Sequence, residues 1–425
     1  MNTVMGRTET DKLSVALLNA IDQGGGAEAV ARMLRDGLRR GGHEAELWVG
    51  RLRGEAGATH THAIPSTLAQ RRTAQRYARK GFFNLGLPSS SSFCTSSALA
   101  NVDIVHLHNL HGHYLSITAL PLLARRAPLV WTFHDYFPIT GGCAFPSDCQ
   151  RWLTRCGSCP QLGEYPLVTK FDRTRRMQSI KRKVFRDLPV TIITPSEHLA
   201  RAVRRSGVFT EADVRTIPPG VDTKLFHPER AQAREHWGLS PDRPVVLLVA
   251  QGLNDPRKGI DHAVTALQRV DVPGLVVLLV GAGDAGPIVG ALARHEVRPL
   301  GYIADRRELA QCYAAADLFL FTSLAETFGC VVQEAMACGT TVLAFDIDGV
   351  AKEIVSQRTG FVVPTGDTDR LARAADKLLR NRQHLTSIGE AARRYAAAEW
   401  GVGQFIDRHE RLYIEILARS GTAVS

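Results

Sequence analysis

Residues 323–339 read SLAETFGCVVQEAMACG, and they follow an apolar run, DLFLF, at 317–321. The run predicts a buried parallel strand. The stretch after it predicts a helix over about 328–337, ended at Cys338-Gly339. Glu326 then falls in the strand-to-helix turn, and Glu334 about two turns into the helix. The helix start between them offers free N–H groups and the positive end of the dipole, a seat for phosphate. A ligand with a diphosphate in the middle and a hydroxyl-bearing ring at each end fits this layout, one ring per carboxylate. A sugar nucleotide is such a ligand. The plainer alternative is one solvated glutamate and one helix-surface glutamate, because a single motif is weak evidence.

The same βα rhythm extends outward in both directions. Toward the N-terminus, strands are predicted at 244–250, 275–280 and 297–300, with helices at 259–269 and 305–315. The strand at 275–280 ends in Gly281-Ala282-Gly283-Asp284. Toward the C-terminus come strands at 341–344 and 361–363, then helices at 368–379, 384–398 and 402–417. Pro218-Pro219-Gly220, running on to Phe226-His227-Pro228, breaks the pattern and marks a linker. Before it, strands are predicted at 13–18, 44–49, 102–107, 128–133, 190–194 and 214–217. The first is followed by a glycine-rich turn, Gly24-Gly25-Gly26, and a helix over 27–40, a βα unit whose loop can approach an anion. Residues 1–12 read as disordered, and 51–100 are poorly patterned and read as partly mobile. The alternation predicts an α/β protein of two doubly wound, Rossmann-like domains facing across a cleft. Their expected bounds are 1–220 and 221–400, with a last helix in 401–425.

Carboxyl ends of parallel strands face the ligand crevice, so two histidine-bearing strand ends stand out. One is HLHNLHGHY, with His106, His108, His111 and His113; the other is TFHD, with His134. Zinc at the first was weighed against cleft lining, and lining is favoured because no matched acid or thiol lies nearby.

At 425 residues with 44% hydrophobic and 22% charged residues, the composition is that of a soluble globular protein. No apolar run is long enough for a membrane span, and the first residues carry no signal-peptide core. Cytoplasmic residence is therefore expected, where cysteines are thiols or metal ligands more often than disulfides. The net charge is +10, concentrated in RRTAQRYARK at 71–80 and RTRRMQSIKRKVFR at 173–186. Such segments suit nucleic acid or an anionic membrane surface. With no interleaved aromatics and no nucleic-acid signature, nucleic acid is not expected. A peripheral position on the inner face of the plasma membrane stands against a merely solvated face.

Taken together, these motifs resemble the retaining glycosyltransferases of family 4, which have the GT-B fold. The resemblance rests on GGGAE, HLHN, TFHD, IPPGVD with LFHP, RKG at 257–259, VGAGD, LGYI at 300–303, ETFGCVVQEAMACGT with its E-x7-E, FDIDGVAKEIV and TGFVVP. The resemblance implies that Lys258 meets the donor diphosphate, Glu334 the nucleotide ribose and Glu326 the donor sugar. It implies that Thr327, Phe328 and Gly329 present backbone N–H groups, that Tyr302 and Ile303 line the base pocket, and that His134 lies near the transferred sugar. Gly25, Gly26 and Gly281 join the ligand-binding set, and the resemblance implies that the helix in 401–425 crosses back to the first domain. One position departs: Gly252 stands where family members often carry an arginine, and Arg257 is the candidate substitute. The donor implied is a UDP- or GDP-sugar, transferred with retention and without a metal. The acceptor is a lipid-linked glycan of surface-polysaccharide assembly, or a small secondary metabolite. Two other classes were considered: an epimerase or phosphorylase on the same fold, and a non-catalytic membrane- or nucleic-acid-binding protein.

Cys143, Cys149, Cys156 and Cys159 fall in an irregular insertion, 141–165, after His134. Four cysteines so spaced, ending in Cys-x2-Cys, can hold a structural zinc, with free thiols or disulfides as the alternative. Similar inserts occur in a subgroup of the family.

Overall fold

The computed structural model describes residues 12–54, 59–227, 229–347 and 358–421. Two units separate. The first takes the chain up to Pro218 together with the segment from Phe405, and the second takes Pro219–Gln404.

The first unit holds seven strands: β1 (Ser14–Ile21), β2 (Glu44–Arg51), β3 (Thr61–Ala63), β4 (Ile104–Leu107), β5 (Leu129–Thr132), β6 (Val190–Thr194) and β7 (Asp213–Thr216). Their order is β3-β2-β1-β4-β5-β6-β7, and every pairing is parallel. β4, β5 and β6 are buried at every position, because helices cover both faces of a parallel sheet. Helix α1 (Gly26–Arg40) follows β1, with Gly25 as its N-cap.

The poorly patterned region is more regular than its sequence indicates. It contributes β3 and two helices, α2 (Leu68–Arg79) and residues Pro88–Cys94. α2 opens on a capping box between Thr67 and Gln70. Its apolar face is narrow, only Ala74 and Ala78 being buried, which is why periodicity did not expose it. Further on, α3 (Thr174–Phe185) carries the second basic segment.

The second unit holds β8 (Val245–Gly252), β9 (Val276–Ala282), β10 (Glu296–Gly301), β11 (Leu318–Phe321), β12 (Thr341–Asp346) and β13 (Gly360–Pro364). The order is β10-β9-β8-β11-β12-β13, again wholly parallel. Helix α4 (Cys330–Ala337) follows β11 and starts two residues later than its sequence suggests, because Gly329 takes the left-handed conformation, φ 89°, as N-cap. Much of FDIDGVAKEIV lies outside the described residues, as do residues 1–11 and Pro228 of the LFHP motif. The last helix, α5 (Val402–Arg419), buries Phe405, His409, Leu412 and Tyr413, and its residues from Phe405 on belong to the first unit.

Candidate functional site

In the second unit the strand order reverses between β8 and β11, the place where an open parallel sheet leaves a crevice at its carboxyl edge. The loops leaving these two strands carry the residues singled out by sequence. After β8, Pro256–Lys258 make one 3-10 turn capped by Asp255. After β11 comes the turn with Glu326. The loops are tied by Leu324 N–H donating to Arg257 O at 2.7 Å and by Thr322 Oγ1 donating to Lys258 O at 3.3 Å. Lys258 Nζ reaches Glu326 Oε1 at 2.5 Å. Both side chains keep some solvent access, so an anionic ligand could draw the ammonium away from its carboxylate.

Gly259 allows this approach. Its φ is 59°, and a Cβ there would lie 2.0 Å from the Thr322 carbonyl oxygen. Gly259→Ala should therefore cost about 2–4 kcal/mol of stability through strain and overpacking. A urea melt would measure it, and a variant as stable as the parent would contradict the tight crossing. Gly281, in β9, serves similarly: a Cβ would meet Ala250 O at 2.5 Å. Arg257 turns to Asp255 in its own turn, Nη2 to Oδ2 at 2.6 Å, while the space beside Gly252 is open. Thr327 and Phe328 are buried just before the Gly329 cap. Tyr302 and Ile303 stand after the edge strand β10, Tyr302 exposed and Ile303 packed against the core.

Glu334 points inward rather than onto a solvated helix face. It is buried, and its oxygens accept from Arg306 Nη2 at 3.0 Å and Tyr313 Oη at 3.2 Å. Burial raises its pKa, with the Arg306 charge and the two hydrogen bonds pulling it back. Arg306 also lies over the Phe226 ring, 4.9 Å from its centroid. Sequence reasoning missed Arg306 and Tyr313. They sit on the preceding helix, where no local spacing links them to the E-x7-E pattern.

In the first unit His106, His108 and His134 gather into one column, while His113 stacks on Phe83 instead. His106 and His108 are stacked, with centroids 4.6 Å apart, and His108 Nδ1 meets His134 Nε2 at 3.0 Å. His106 bridges Tyr413 of α5, at 2.5 Å, and Thr132, at 2.7 Å. His111 pairs with Asp135 at 2.9 Å. Burial lowers the pKa of His134 to about 4 against the upward pull of Asp135, so it is neutral near pH 7. In a neutral imidazole one ring nitrogen donates and the other accepts, and Nε2 of His134 is engaged by His108. Gly25 and Gly26 open α1 at the end of β1, beside the strand-order reversal between β1 and β4.

The four cysteines of the insertion all line one small cavity of about 20 Å³, which has room for about one water molecule. Among the described residues, no three His, Cys, Asp or Glu side chains stand together as a metal-holding group. The thiols also touch apolar side chains. Cys156 sits in the main core of the unit, and its Sγ accepts from Gly141 N–H at 3.3 Å. Cys143 and Cys159 pack against Phe83, Phe137 and Leu167. Burial pushes the Cys143 thiol up to about 12 and raises Cys156 and Cys159 as well. No disulfide joins the cysteines. Lys181, from the second basic segment, is also buried. It donates to Phe137 O and Thr140 O, fixing the start of the insertion.

Comparison with known proteins agrees with this layout. Residues 24–225 match the family model described as Glycosyltransferase Family 4, and residues 229–395 match Glycosyl transferases group 1. The D-inositol 3-phosphate glycosyltransferase 2 of Catenulispora acidiphila is 34% identical over 356 residues, 78% of this chain and 77% of that protein. A GDP-mannose-dependent alpha-(1-6)-phosphatidylinositol monomannoside mannosyltransferase of Mycolicibacterium smegmatis is 32% identical over 49% of this chain and 58% of its own. Among solved structures, sucrose-phosphate synthase from Thermosynechococcus elongatus superposes with a TM-score of 0.73 at 22% identity, covering 96% of this chain and 100% of that one. Anabaena HepE in complex with UDP-glucose gives 0.66 at 20% identity, covering 94% and 99%.

Proposed function

The chain belongs to the glycosyltransferases of the group 1 and family 4 type, and on that premise we propose that it moves a sugar from a nucleotide-diphosphate donor to an acceptor hydroxyl with retention. The observation that carries the reading is the Lys258–Glu326 pair at the strand-order reversal of the second unit, its glutamate three residues before the left-handed cap of α4. In this reading the bond from the anomeric carbon to the diphosphate breaks while the acceptor oxygen bonds to the same face. The acceptor proton passes to the departing phosphate. Lys258 and the N-terminus of α4 neutralise the negative charge that grows on the leaving group. Glu326 then exchanges its ammonium partner for sugar hydroxyls, and Glu334, preset by Arg306 and Tyr313, accepts from the ribose. His134 is assigned to positioning the sugar. The chemistry needs no metal, and activity should survive a chelator.

The donor is a UDP- or GDP-sugar, since the relatives' names include both nucleotides. The acceptor belongs to glycolipid or surface-polysaccharide assembly, a class suggested by the phosphatidylinositol-linked acceptor in one relative's name. A small polyol phosphate is the second acceptor to try, because the longest match above carries D-inositol 3-phosphate in its name.

The test is a panel of UDP- and GDP-sugars with these acceptors, the product anomer being read by NMR. Transfer with retention supports the proposal, and an inverted product overturns it. The two glutamates divide the work. Glu334→Ala should weaken binding of free nucleotide about tenfold or more, the loss of a charge-assisted hydrogen bond. Glu326→Ala should slow transfer and leave nucleotide affinity near normal. Isothermal titration with UDP and GDP reads both, and equal losses would contradict the division.

A further inference from the structure

We propose that the face of the first unit formed by the start of α3, the loop 165–171 and Arg155 is a docking site for the phosphate groups of anionic lipids at a bilayer surface. Arg155, Arg173, Arg175 and Arg176, with Ser179, surround a basin of about 380 Å³. Elsewhere on this surface arginines are commonly paired, as Arg204, Arg215, Arg243 and Arg380 are with carboxylates. None of the four basin arginines makes such a salt bridge among the described residues. The one acid in the basin, Asp172, is engaged by backbone and hydroxyl donors. It accepts from Thr174 N at 2.9 Å, Thr174 Oγ1 at 2.6 Å and Cys159 N at 2.8 Å. It therefore organises the loop and faces the Arg175 charge, which leaves Arg155, Arg173 and Arg176 without a carboxylate partner among the described residues.

The arginines are also presented outward. Arg173 and Arg176 lie over the Phe82 ring, at 6.0 and 5.4 Å from its centroid, so their planar forks are held on an aromatic platform. The N-terminus of α3 adds its dipole to the same spot. A group with several phosphate oxygens matches this arrangement.

The apolar rim selects a bilayer over a free anion. Of the ten exposed large hydrophobic side chains among the described residues, three fall within 165–171: Tyr165, 73% exposed, Val168, 63%, and Phe171, 55%. The loop is anchored at its base by Thr169 Oγ1 donating to Arg79 O at 2.9 Å. This joins it to the end of the basic helix α2, whose Tyr77 is also exposed. Tyr165 is tied by its hydroxyl to His111 Nδ1 at 3.1 Å, so Val168 and Phe171 are the side chains that project beside the cationic basin, and they suit the headgroup–acyl boundary. Val168 has no use in stacking on bases, which disfavours nucleic acid. No helix of the described residues is long and apolar enough to cross a membrane, so this contact would be peripheral.

The inference leans on the transferase reading only for its purpose, which is to bring the protein to a lipid-borne acceptor. Its test measures binding alone, so either idea can fail without the other. The full-length protein is sedimented with phosphatidylcholine vesicles, with and without phosphatidylglycerol. Binding should require phosphatidylglycerol and weaken with salt. Replacing Arg155, Arg173 and Arg176 by Gln should reduce it about fivefold per charge, roughly a hundredfold together. Phe171→Ser should weaken binding while leaving its salt dependence unchanged. Unaltered circular dichroism and nucleotide affinity confirm that the variants are folded. Equal sedimentation with both vesicle types, or full binding by the arginine variant, overturns the proposal. So does saturable binding of inorganic phosphate without vesicle binding. Single-stranded DNA binding as tight as vesicle binding and lost in the same variant would assign the face to nucleic acid instead.

Discussion

Lys258→Ala should lower kcat/KM for transfer by about 100- to 1,000-fold, the usual loss when a preorganised charge at a developing anion is removed. The position of Lys258 explains the size of the effect. It ends a rigid 3-10 turn, and that turn is pinned to the β11 loop by two hydrogen bonds and the crossing at Gly259. The ammonium is therefore delivered to one place, with Glu326 as its partner until donor arrives. Arg257, engaged with Asp255, is poorly placed to replace it. Lys258→Arg should recover only part of the rate, since a guanidinium is longer and planar. Steady-state kinetics with the donor identified by the sugar panel reads the loss. The thermal midpoint should move little, because Lys258 is not a core residue. Turnover near that of the parent would remove Lys258 from the proposed mechanism.

The second large effect is acid lability of the first unit. His409 and His134 are held at pKa values of about 4 by burial, against an ordinary value near 6.5. His106 and His108 are pushed down in the same direction by burial and by their neighbouring imidazoles. A depressed pKa means that the unfolded chain binds a proton that the folded chain refuses. Stability from these groups is fully present above about pH 6.5 and is lost as pH falls toward about 4. For His409 and His134 the loss is roughly 3 kcal/mol each at the bottom of that window. That is a large share of the 5–15 kcal/mol typical of a domain. Glu334 in the second unit acts oppositely, since its raised pKa makes its contribution largest at low pH. Hydrogen exchange at about pH 7 and about pH 5 should therefore show peptides around β4, β5 and α5 losing protection first. His409→Asn can keep the donation to Phe405 O, now 2.8 Å, and should flatten the acid limb by about one proton. An unchanged slope would mean that the column does not control it.

Much of the fold and half of the candidate site were legible in the sequence. Strands such as DLFLF and the run at 275–280 are buried on both faces, and a parallel core strand shows itself as an unbroken apolar run. Glycines marked close approaches. Gly259 and Gly329 need positive φ, and Gly259 and Gly281 have no room for a Cβ. The ion pair of Lys258 with Glu326 was not among the sequence readings; it forms because both residues leave strands that flank the order reversal. By contrast, β3, α2 and Pro88–Cys94 were hidden by weak amphipathicity in a stretch rich in Arg and Ser.

The sequence by itself determined the two parallel sheets, the loops that carry the chemistry and the residue types placed on them. Apolar runs, turn glycines and helix starts are local properties, and each stretch of chain states its own. Only the tertiary structure decided which way the longer side chains turn and what they meet. It set Arg306 and Tyr313 on Glu334, and His108 on His134. It split the basic segment of α3 into a buried Lys181 and outward arginines. It drew the insertion's four thiols around one small cavity, three of them also in apolar packing. These outcomes depend on partners distant in sequence, and on the cost of burying a charge without one. No local pattern encodes that cost.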